Sequence, residues 1–265
     1  MSRGLDAMNV LEIKNVCKKY SNNSKKVNTT ALKNINLTLR NNEFIGIMGT
    51  SGSGKTTLLN VASGIDSCDE GEINILDNNI SEMDRNELSL FRRSNIGMVF
   101  QDFNLLNSLS VKENIMVPLL LDKKYELLEE GIVNKLANMM DISGILDRYP
   151  YEISGGQQQR AAICRAIINN PKIIFADEPT GNLDSRSSKK VLSYFELLHN
   201  EYNANILMVT HDPFSASYCD KVVFLQDGSI INEIRKQGDK VKFLNSILEI
   251  VQDFDTVRIK EDIDD

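Results

Sequence analysis

The chain has little that would suit nucleic acid, zinc or thiol redox chemistry. Its net charge is −7 and its lysines and arginines form no basic block, which argues against nucleic acid as the main partner because phosphate backbones attract basic surfaces. Four cysteines, Cys17, Cys68, Cys164 and Cys219, lie far apart and form no C-x-x-C pair. We therefore expect them to be small buried residues in a reducing compartment.

Long apolar runs are also missing. The longest, residues 116–121, is interrupted by Pro118 and is far too short to span a bilayer. The first six residues lack the apolar centre of a signal peptide. We expect a cytoplasmic protein, and any membrane part of its assembly would come from another chain. A length of 265 residues suits one large α/β domain, or a core with a small subdomain.

A phosphate-binding loop is the strongest local signal. Residues 49–56 match the pattern G-x-x-x-x-G-K-[ST]. Residues 44–48 before them are apolar like a buried strand, and residues 57–62 after them suit a helix. Glycines let backbone N–H groups approach triphosphate oxygens, and the positive end of the helix adds attraction. We expect Lys55 to reach the β- and γ-phosphates and the Thr56 hydroxyl to contact Mg²⁺.

Four apolar strands, expected to be parallel, each lead to residues that can act on a nucleotide. The pairs are residues 44–48 and the phosphate loop, residues 96–100 and Gln101, residues 173–176 and Asp177 with Glu178, and residues 206–210 and His211. Ligands of open α/β sheets bind outside the carboxyl ends of the strands, so all four sets should converge on one nucleotide.

The acidic pair after the third of these strands suits metal binding and hydrolysis. Asp177 fits the carboxylate that holds Mg²⁺, and Glu178 can polarise the attacking water as general base. His211 is predicted to contact the γ-phosphate, because its strand should lie beside the Asp177 strand. The second histidine, His199, lies within a predicted helix at residues 185–202 and is expected on the surface.

The remaining pattern is coarser. Alternating apolar residues predict antiparallel strands at residues 10–14 and 32–39, joined by a polar loop at residues 21–30. Helical periodicity from residue 102 to residue 147 predicts an inserted helical subdomain. A hairpin is expected at residues 222–231 and a further helix around residues 241–251.

At residues 153–157, Ile-Ser-Gly-Gly-Gln, the chain resembles the nucleotide-binding subunit of ABC transporters, whose signature is L-S-G-G-Q. The resemblance runs from about Leu11 to Ile231. It implies an α/β fold: a P-loop NTPase core with a mostly parallel sheet, an N-terminal antiparallel β subdomain and a helical subdomain at about residues 102–165. It also implies an ABC ATPase domain at residues 9–235, followed at residues 236–265 by a C-terminal helical extension and an acidic tail.

The resemblance implies a Mg-dependent ATPase with ATP and Mg²⁺ as cofactors. Catalysis would fall to Glu178, His211 and Gln101, and metal binding to Thr56, Gln101 and Asp177. Tyr20 resembles the aromatic residue that stacks on adenine, and residues 181–184, which end in Asp184, resemble the loop that crosses the dimer interface. The full set of implied nucleotide-binding residues is Tyr20, Gly49, Thr50, Ser51, Gly52, Ser53, Gly54, Lys55, Thr56, Thr57, Ser154, Gly155, Gly156, Gln157 and Asp184. Residues 154–157 would complete the site of a second copy, which implies a homodimer with ATP at the interface.

Several stretches are similar to the macrolide-export, lipoprotein-releasing and cell-division group. Residues 210–220 are most similar to the bacitracin-export type, which confers resistance to antimicrobial peptides. The resemblance implies a separate transmembrane permease and a peripheral position on the inner face of the cell membrane. The alternatives are a lipoprotein-releasing or cell-division ABC complex, and a soluble ABC ATPase that acts outside transport. The last alternative fits the acidic charge and the single compact cassette least well.

Overall fold

The computed structural model describes residues 9–22, 27–129 and 131–264. The strands are β1 (Asn9–Asn22), β2 (Val27–Arg40), β3 (Phe44–Met48), β4 (Glu70–Ile75), β5 (Asn78–Asn79), β6 (Ile96–Val99), β7 (Ile173–Asp177), β8 (Ile206–Val209), β9 (Lys221–Gln226) and β10 (Ser229–Arg235). The helices are α1 (Lys55–Ala62), α2 (Arg85–Asn95), α3 (Val111–Leu121), α4 (Tyr125–Glu129), α5 (Ile132–Met139), α6 (Gly155–Ile167), α7 (Ser185–Tyr202), α8 (Pro213–Ala216) and α9 (Lys240–Asp264).

The central sheet has six strands in the order β10-β9-β3-β8-β7-β6. Every neighbouring pair from β9 to β6 is parallel, and β10 closes the sheet as the antiparallel arm of a hairpin. The four strands expected to be parallel are confirmed, and β9 is a fifth. Their carboxyl ends share one edge, so β8 brings the segment with His211 beside the end of β7, as predicted.

A second, antiparallel sheet has the order β2-β1-β4-β5. Strands β1 and β2 are longer than the alternation predicted, because their pairing continues to Asn22 and Val27. The predicted loop at residues 21–30 is therefore wrong at both ends, and residues 23–26 lie outside the described part of the chain. The extra pairing places Thr29 opposite Tyr20.

The central sheet is covered on both faces, which explains why its strands are continuously apolar. In β3, Phe44 and Met48 face a cluster formed with the helical side, whereas Ile45 and Ile47 face a cluster shared with α1 and the antiparallel sheet. All five residues of β3 are buried. The strand that carries the phosphate loop is thus held on both faces and at both edges.

Helices α3 to α6 form the predicted helical insert, but its middle part consists of two helices rather than one. Gly131, at φ 73°, separates α4 from α5. Ser154 begins α6 with a capping box, in which its hydroxyl accepts from the backbone N–H of Gln157 and the Gln157 side chain accepts from the backbone N–H of Ser154. None of the helices in the described part of the chain is long and apolar enough to cross a membrane.

Three residues differ in burial from the sequence expectations. His199 is 8 % exposed, so the expected surface position is wrong, and its Nε2 lies 2.9 Å from Oδ2 of Asp220. Cys164 and Cys219 are buried, as expected of small core residues, whereas Cys17 and Cys68 are only partly buried.

Candidate functional site

The phosphate loop lies between β3 and α1, and its glycines are required by close backbone approaches. A Cβ on Gly49 would lie 2.1 Å from the carbonyl oxygen of Leu225, and one on Gly54 would lie 2.5 Å from that of Ala31. Gly54 also has φ 103° and occupies the N-cap of α1, a conformation that side chains rarely adopt. The loop is thus fixed against both sheets.

Lys55 and Thr56 open α1 inside the cleft. The Lys55 ammonium donates to the carbonyl of Thr50 across the loop at 2.8 Å. Burial lowers the pKa of Lys55, and the negative charges of Glu178 and Asp177 partly oppose that effect. A buried cation whose hydrogen bond, among the residues that the structure describes, is to a backbone carbonyl can exchange that carbonyl for phosphate oxygens.

Asp177 ends β7 and faces the first turn of α1. Burial raises the pKa of Asp177, as does the charge of Glu178, whereas a hydrogen bond from the Thr56 side chain and the charge of Lys55 oppose the rise. Its Oδ1 is buried and has no hydrogen-bond partner within the residues that the structure describes. A carboxylate oxygen left over beside a hydroxyl is the donor set that Mg²⁺ uses together with phosphate oxygens, so these residues fit that ion.

Glu178 and His211 form a pair at the carboxyl ends of β7 and β8. Nδ1 of His211 lies 2.7 Å from Oε2 of Glu178, and the His211 side chain is 63 % exposed against 20 % for Glu178. Glu178 has φ 43°, a strained conformation for a residue other than glycine. Its backbone N–H donates to the carbonyl of Val209, which fixes the bend against the neighbouring strand.

Lys55, Thr56, Glu178 and His211 line one cleft of about 800 Å³, which also takes residues from the antiparallel sheet, whereas Asp177 lies outside its lining. Its lining is Tyr20, Thr29, Thr30, Ala31, Lys33, Ser51, Gly52, Gly54, Lys55, Thr56, Thr57, Glu178, His211, Asp227 and Gly228. Tyr20 is held there by a hydrogen bond from its hydroxyl to Asp66 at 2.8 Å. Sequence reasoning missed Thr29, Thr30, Lys33 and Asp227, since their place depends on how the second sheet docks.

Other predicted site residues lie outside this lining. Gln101 follows β6, but its side-chain amide donates to Oδ1 of Asn182 at 3.2 Å and packs on Gly181. Residues 154–157 begin α6, and Asp184 caps α7 by accepting from the backbone N–H groups of Arg186 and Ser187. Within one chain the structure does not bring these residues to the cleft lining.

Together, the fold and this cleft define a P-loop nucleotide-binding protein. Residues 32–181 match the family described as ABC transporter, and relatives cover most of the chain. The bacitracin export ATP-binding protein BceA of Halalkalibacterium halodurans is 45 % identical over 88 % of this chain and 91 % of its own length. The lipoprotein-releasing system ATP-binding protein LolD of Francisella tularensis is 38 % identical over 83 % and 95 %.

A solved structure agrees with these relatives. The ATP-binding cassette MJ0796 of Methanocaldococcus jannaschii, a dimer bound to ADP and phosphate, superposes with a TM-score of 0.77 at 36 % identity, over 86 % of this chain and all of that one. The chain therefore belongs to the ABC transporter family and has its ATPase fold. It is the ATP-binding and ATP-hydrolysing subunit of a transporter.

Proposed function

We propose that the described cleft is the hydrolytic site and that it binds ATP with Mg²⁺. Backbone N–H groups of residues 49–54 would surround the phosphates, and Lys55 would give up its bond to Thr50 to bind the β- and γ-phosphates. Tyr20, at the opposite wall, would stack on the adenine ring. The observation that supports this arrangement best is the Glu178–His211 pair over a cleft lined by the phosphate loop.

The metal would be held by the Thr56 hydroxyl and by Asp177, with Gln101 reaching it once its amide leaves Asn182. When bound, Mg²⁺ neutralises charge that develops on the phosphate oxygens. The buried Oδ1 of Asp177 without a partner among the described residues supports this assignment.

Glu178 would act as general base. It accepts a proton from the attacking water, whose oxygen forms a bond to the γ-phosphorus while the bond between that phosphorus and the bridging oxygen breaks, so that ADP leaves with the bridging oxygen and inorganic phosphate is released. His211 holds the carboxylate through the 2.7 Å contact and, being largely exposed, can also contact the γ-phosphate. General bases contribute a factor of about 10² to 10⁴ to such reactions.

The signature residues would act on a second copy of the chain. The N-terminus of α6, capped by Ser154, is an anion site that lies outside the lining of its own cleft. Two chains would therefore enclose two ATP molecules head to tail, each completing the other's site with residues 154–157 and Asp184. Loss of the γ-phosphate would remove the link and open the dimer.

Opening of the dimer would move a separate membrane permease. Binding to that permease would also hold the protein at the inner face of the cell membrane. The substrate we propose is a bacitracin-like antimicrobial peptide. The 45 % identity to BceA supports it, as does the similarity of residues 210–220 to the bacitracin-export type. Lipoprotein release is the second candidate, supported by the 38 % identity to LolD.

The test replaces the gene in the native host with a Glu178→Gln allele and measures growth inhibition by bacitracin and by other peptides that act on the cell wall. We expect sensitisation, together with an ATPase rate of the purified variant that is lower by about 10²-fold or more. Glu201→Gln, the same change at an exposed residue of α7, is the matched control and should leave both unchanged.

Two other outcomes would contradict separate parts of the proposal. Normal ATP turnover by Glu178→Gln would refute the assignment of the general base. Unchanged sensitivity in a host whose variant has lost turnover would refute the peptide substrate, and mislocalised lipoproteins in that strain would favour the second candidate.

A further inference from the structure

Helix α6 sends two polar side chains to the backbone on either side of Gln101. On one side, Nη1 and Nη2 of Arg165 donate to the carbonyls of Asn104 and Phe103 at 2.5 and 2.8 Å. On the other side, Nε2 of Gln159 donates to the carbonyl of Phe100 at 3.2 Å. The residue predicted to reach the metal is thus bracketed by two contacts with the helix that begins at the signature.

The segment held by Arg165 is strained. Phe103 has φ 60° and Asn104 has φ 50°, and two consecutive residues other than glycine in the left-handed region are unfavourable, above all for a bulky side chain. Such a bend persists only where its surroundings hold it. The two parallel N–H groups of a guanidinium fit two adjacent carbonyls in a way that a single ammonium does not.

Among the described residues, the guanidinium of Arg165 has its hydrogen bonds with this bend. Within the described residues, no carboxylate lies within ion-pair distance of it. Burial lowers the pKa of Arg165, although an arginine stays protonated in proteins. The Arg165 side chain is half-buried and donates to two carbonyls of one bend. We therefore infer that Arg165 stabilises the bend.

Gln159 extends the connection to the catalytic carboxylate. It is fully buried, and the Nε2 that binds Phe100 also donates to the carbonyl of Pro179 at 2.7 Å. Pro179 directly follows Glu178. One side chain therefore ties the end of β6 to the segment after β7, the two strands that deliver Gln101 and Asp177.

We propose that Arg165 is a positioning residue for ATP hydrolysis, which with Gln159 fixes the backbone on both sides of Gln101 to helix α6. Between these contacts, Gln101 and Asp102 are held by Asn182 rather than by α6, because the Asn182 amide donates to the Gln101 carbonyl at 3.3 Å and to Oδ1 of Asp102 at 2.8 Å. These two residues are therefore the ones that move when the Gln101 amide leaves Asn182 for the cleft. Ser154 caps the N-terminus of α6. A displacement of that end, when a second copy closes on it, would be transmitted through α6 to the turn at Gln101. This inference rests on the proposed role of Gln101.

The test is a double-mutant cycle in purified full-length protein, with ATP turnover measured at saturating Mg²⁺ and with thermal stability recorded in parallel. Arg165→Lys keeps the charge but cannot bridge both carbonyls, so kcat should fall on the order of tenfold while KM for ATP is unchanged. In a Gln101→Ala background the same substitution should change kcat by less than about twofold. Arg93→Lys, which alters an arginine that donates to the carbonyl of Leu121, is the matched control and should keep kcat.

A second variant acts on the bend from its exposed side. Asn104→Val places a β-branched residue in the left-handed region and should lower kcat as Arg165→Lys does, whereas Asn104→Gly, which accepts that region, should keep it. This pair decides the question if Arg165→Lys does not fold.

Additive effects of Arg165→Lys and Gln101→Ala, or equal kcat for the two Asn104 variants, would overturn the inference. A Gln101→Ala chain with normal kcat would instead contradict the proposed role of Gln101 itself.

Discussion

At the scale of single residues, the site shows strain where chemistry is proposed. Glu178 has φ 43° and is followed by Pro179, so its carboxylate is directed by a backbone that costs about 1–3 kcal/mol to maintain. Two hydrogen bonds offset this cost. One runs from the backbone N–H of Glu178 to the carbonyl of Val209, and the other joins His211 to the Glu178 carboxylate. A loop residue free to relax would not hold a carboxylate at one position above the phosphates.

His199 is a residue whose role lies in stability. Burial lowers the pKa of His199, but the hydrogen bond and the charge of Asp220 outweigh burial, and the net pKa lies above its ordinary value. Burial raises the pKa of Asp220, and the bonds from His199 and from the backbone N–H of Phe44 outweigh it, so that the net pKa is lowered. The pair joins α7 to the first residues of β3 and β9.

These directions predict how stability depends on pH. A raised folded-state pKa means that the His199 contribution is present below the unfolded pKa and is lost as pH rises through the folded pKa. At pH 6 we expect His199→Gln to lower the free energy of unfolding by about 1–2 kcal/mol, and the deficit should shrink towards pH 9. Denaturant titrations across that range measure it.

The control for this prediction removes the partner's charge. In an Asp220→Asn background the cost of His199→Gln should no longer shrink as pH rises but change in the opposite direction, since burial, which lowers the pKa of His199, is then no longer outweighed by the carboxylate. A deficit that stays constant with pH in the wild-type background would contradict the assignment.

At the scale of elements, α9 is more than a tail. Phe243 and Ile247 are 2 % and 0 % exposed and belong to the main core beside β3 and β9, and Lys240 is fixed by Glu196 and by the ring of Tyr218. Further along, Val251 lines a second cavity of about 320 Å³ together with Ser51 and His211. The helix therefore runs from the core to the edge of the nucleotide site. The proposed boundary after residue 235 stays a prediction.

The packing of α9 predicts a clear difference between its faces. Phe243→Ala and Ile247→Ala should each lower the free energy of unfolding by about 2–5 kcal/mol, because they leave cavities in a closed core. Val241→Ala, on the same helix but 67 % exposed, should change it by less than about 0.5 kcal/mol. Urea unfolding of the three variants is the measurement, and equal effects would show that α9 is not part of the core in solution.

At the scale of the whole molecule, the signature at residues 154–157 lies outside the lining of the cleft, and in the proposed arrangement a second copy completes the site. We predict that Glu178→Gln protein is monomeric without nucleotide and forms a dimer with Mg-ATP, because the γ-phosphate link is kept when hydrolysis is blocked. Light scattering after gel filtration measures the mass of both states.

The matched variant for the dimer carries Ser154→Arg in addition. Its large side chain at the exposed N-cap of α6 would block the anion site, so ATP binding should persist while the dimer is lost. A dimer that forms equally well with Arg at position 154, or without nucleotide, would contradict the head-to-tail arrangement.

The sequence predicts a feature well where residues close together in the chain determine it. The phosphate loop can be recognised because Gly49 to Thr56 and the segments on either side of them predict a strand, a turn and a helix together. The parallel strands then bring Asp177, Glu178 and His211 to one edge of the sheet. Residues 29–33 and Asp227 were missed because the docking of one sheet on the other places them. His199 had a local signal, since it follows Leu192 and Phe195 at helical spacing on the buried face of α7, but its partner Asp220 is distant in sequence.

The order of strands also sets a length for the ligand. The phosphate loop follows β3 and Glu178 follows β7, with β8 between them, so the two lie two strand spacings apart, about 10 Å, with His211 delivered from the strand in the middle. In the proposed arrangement, a triphosphate held at the loop would extend towards Glu178 by one phosphate more than a diphosphate held at the same loop. The spacing of the strands would thereby let the proposed site distinguish substrate from product by the number of phosphates.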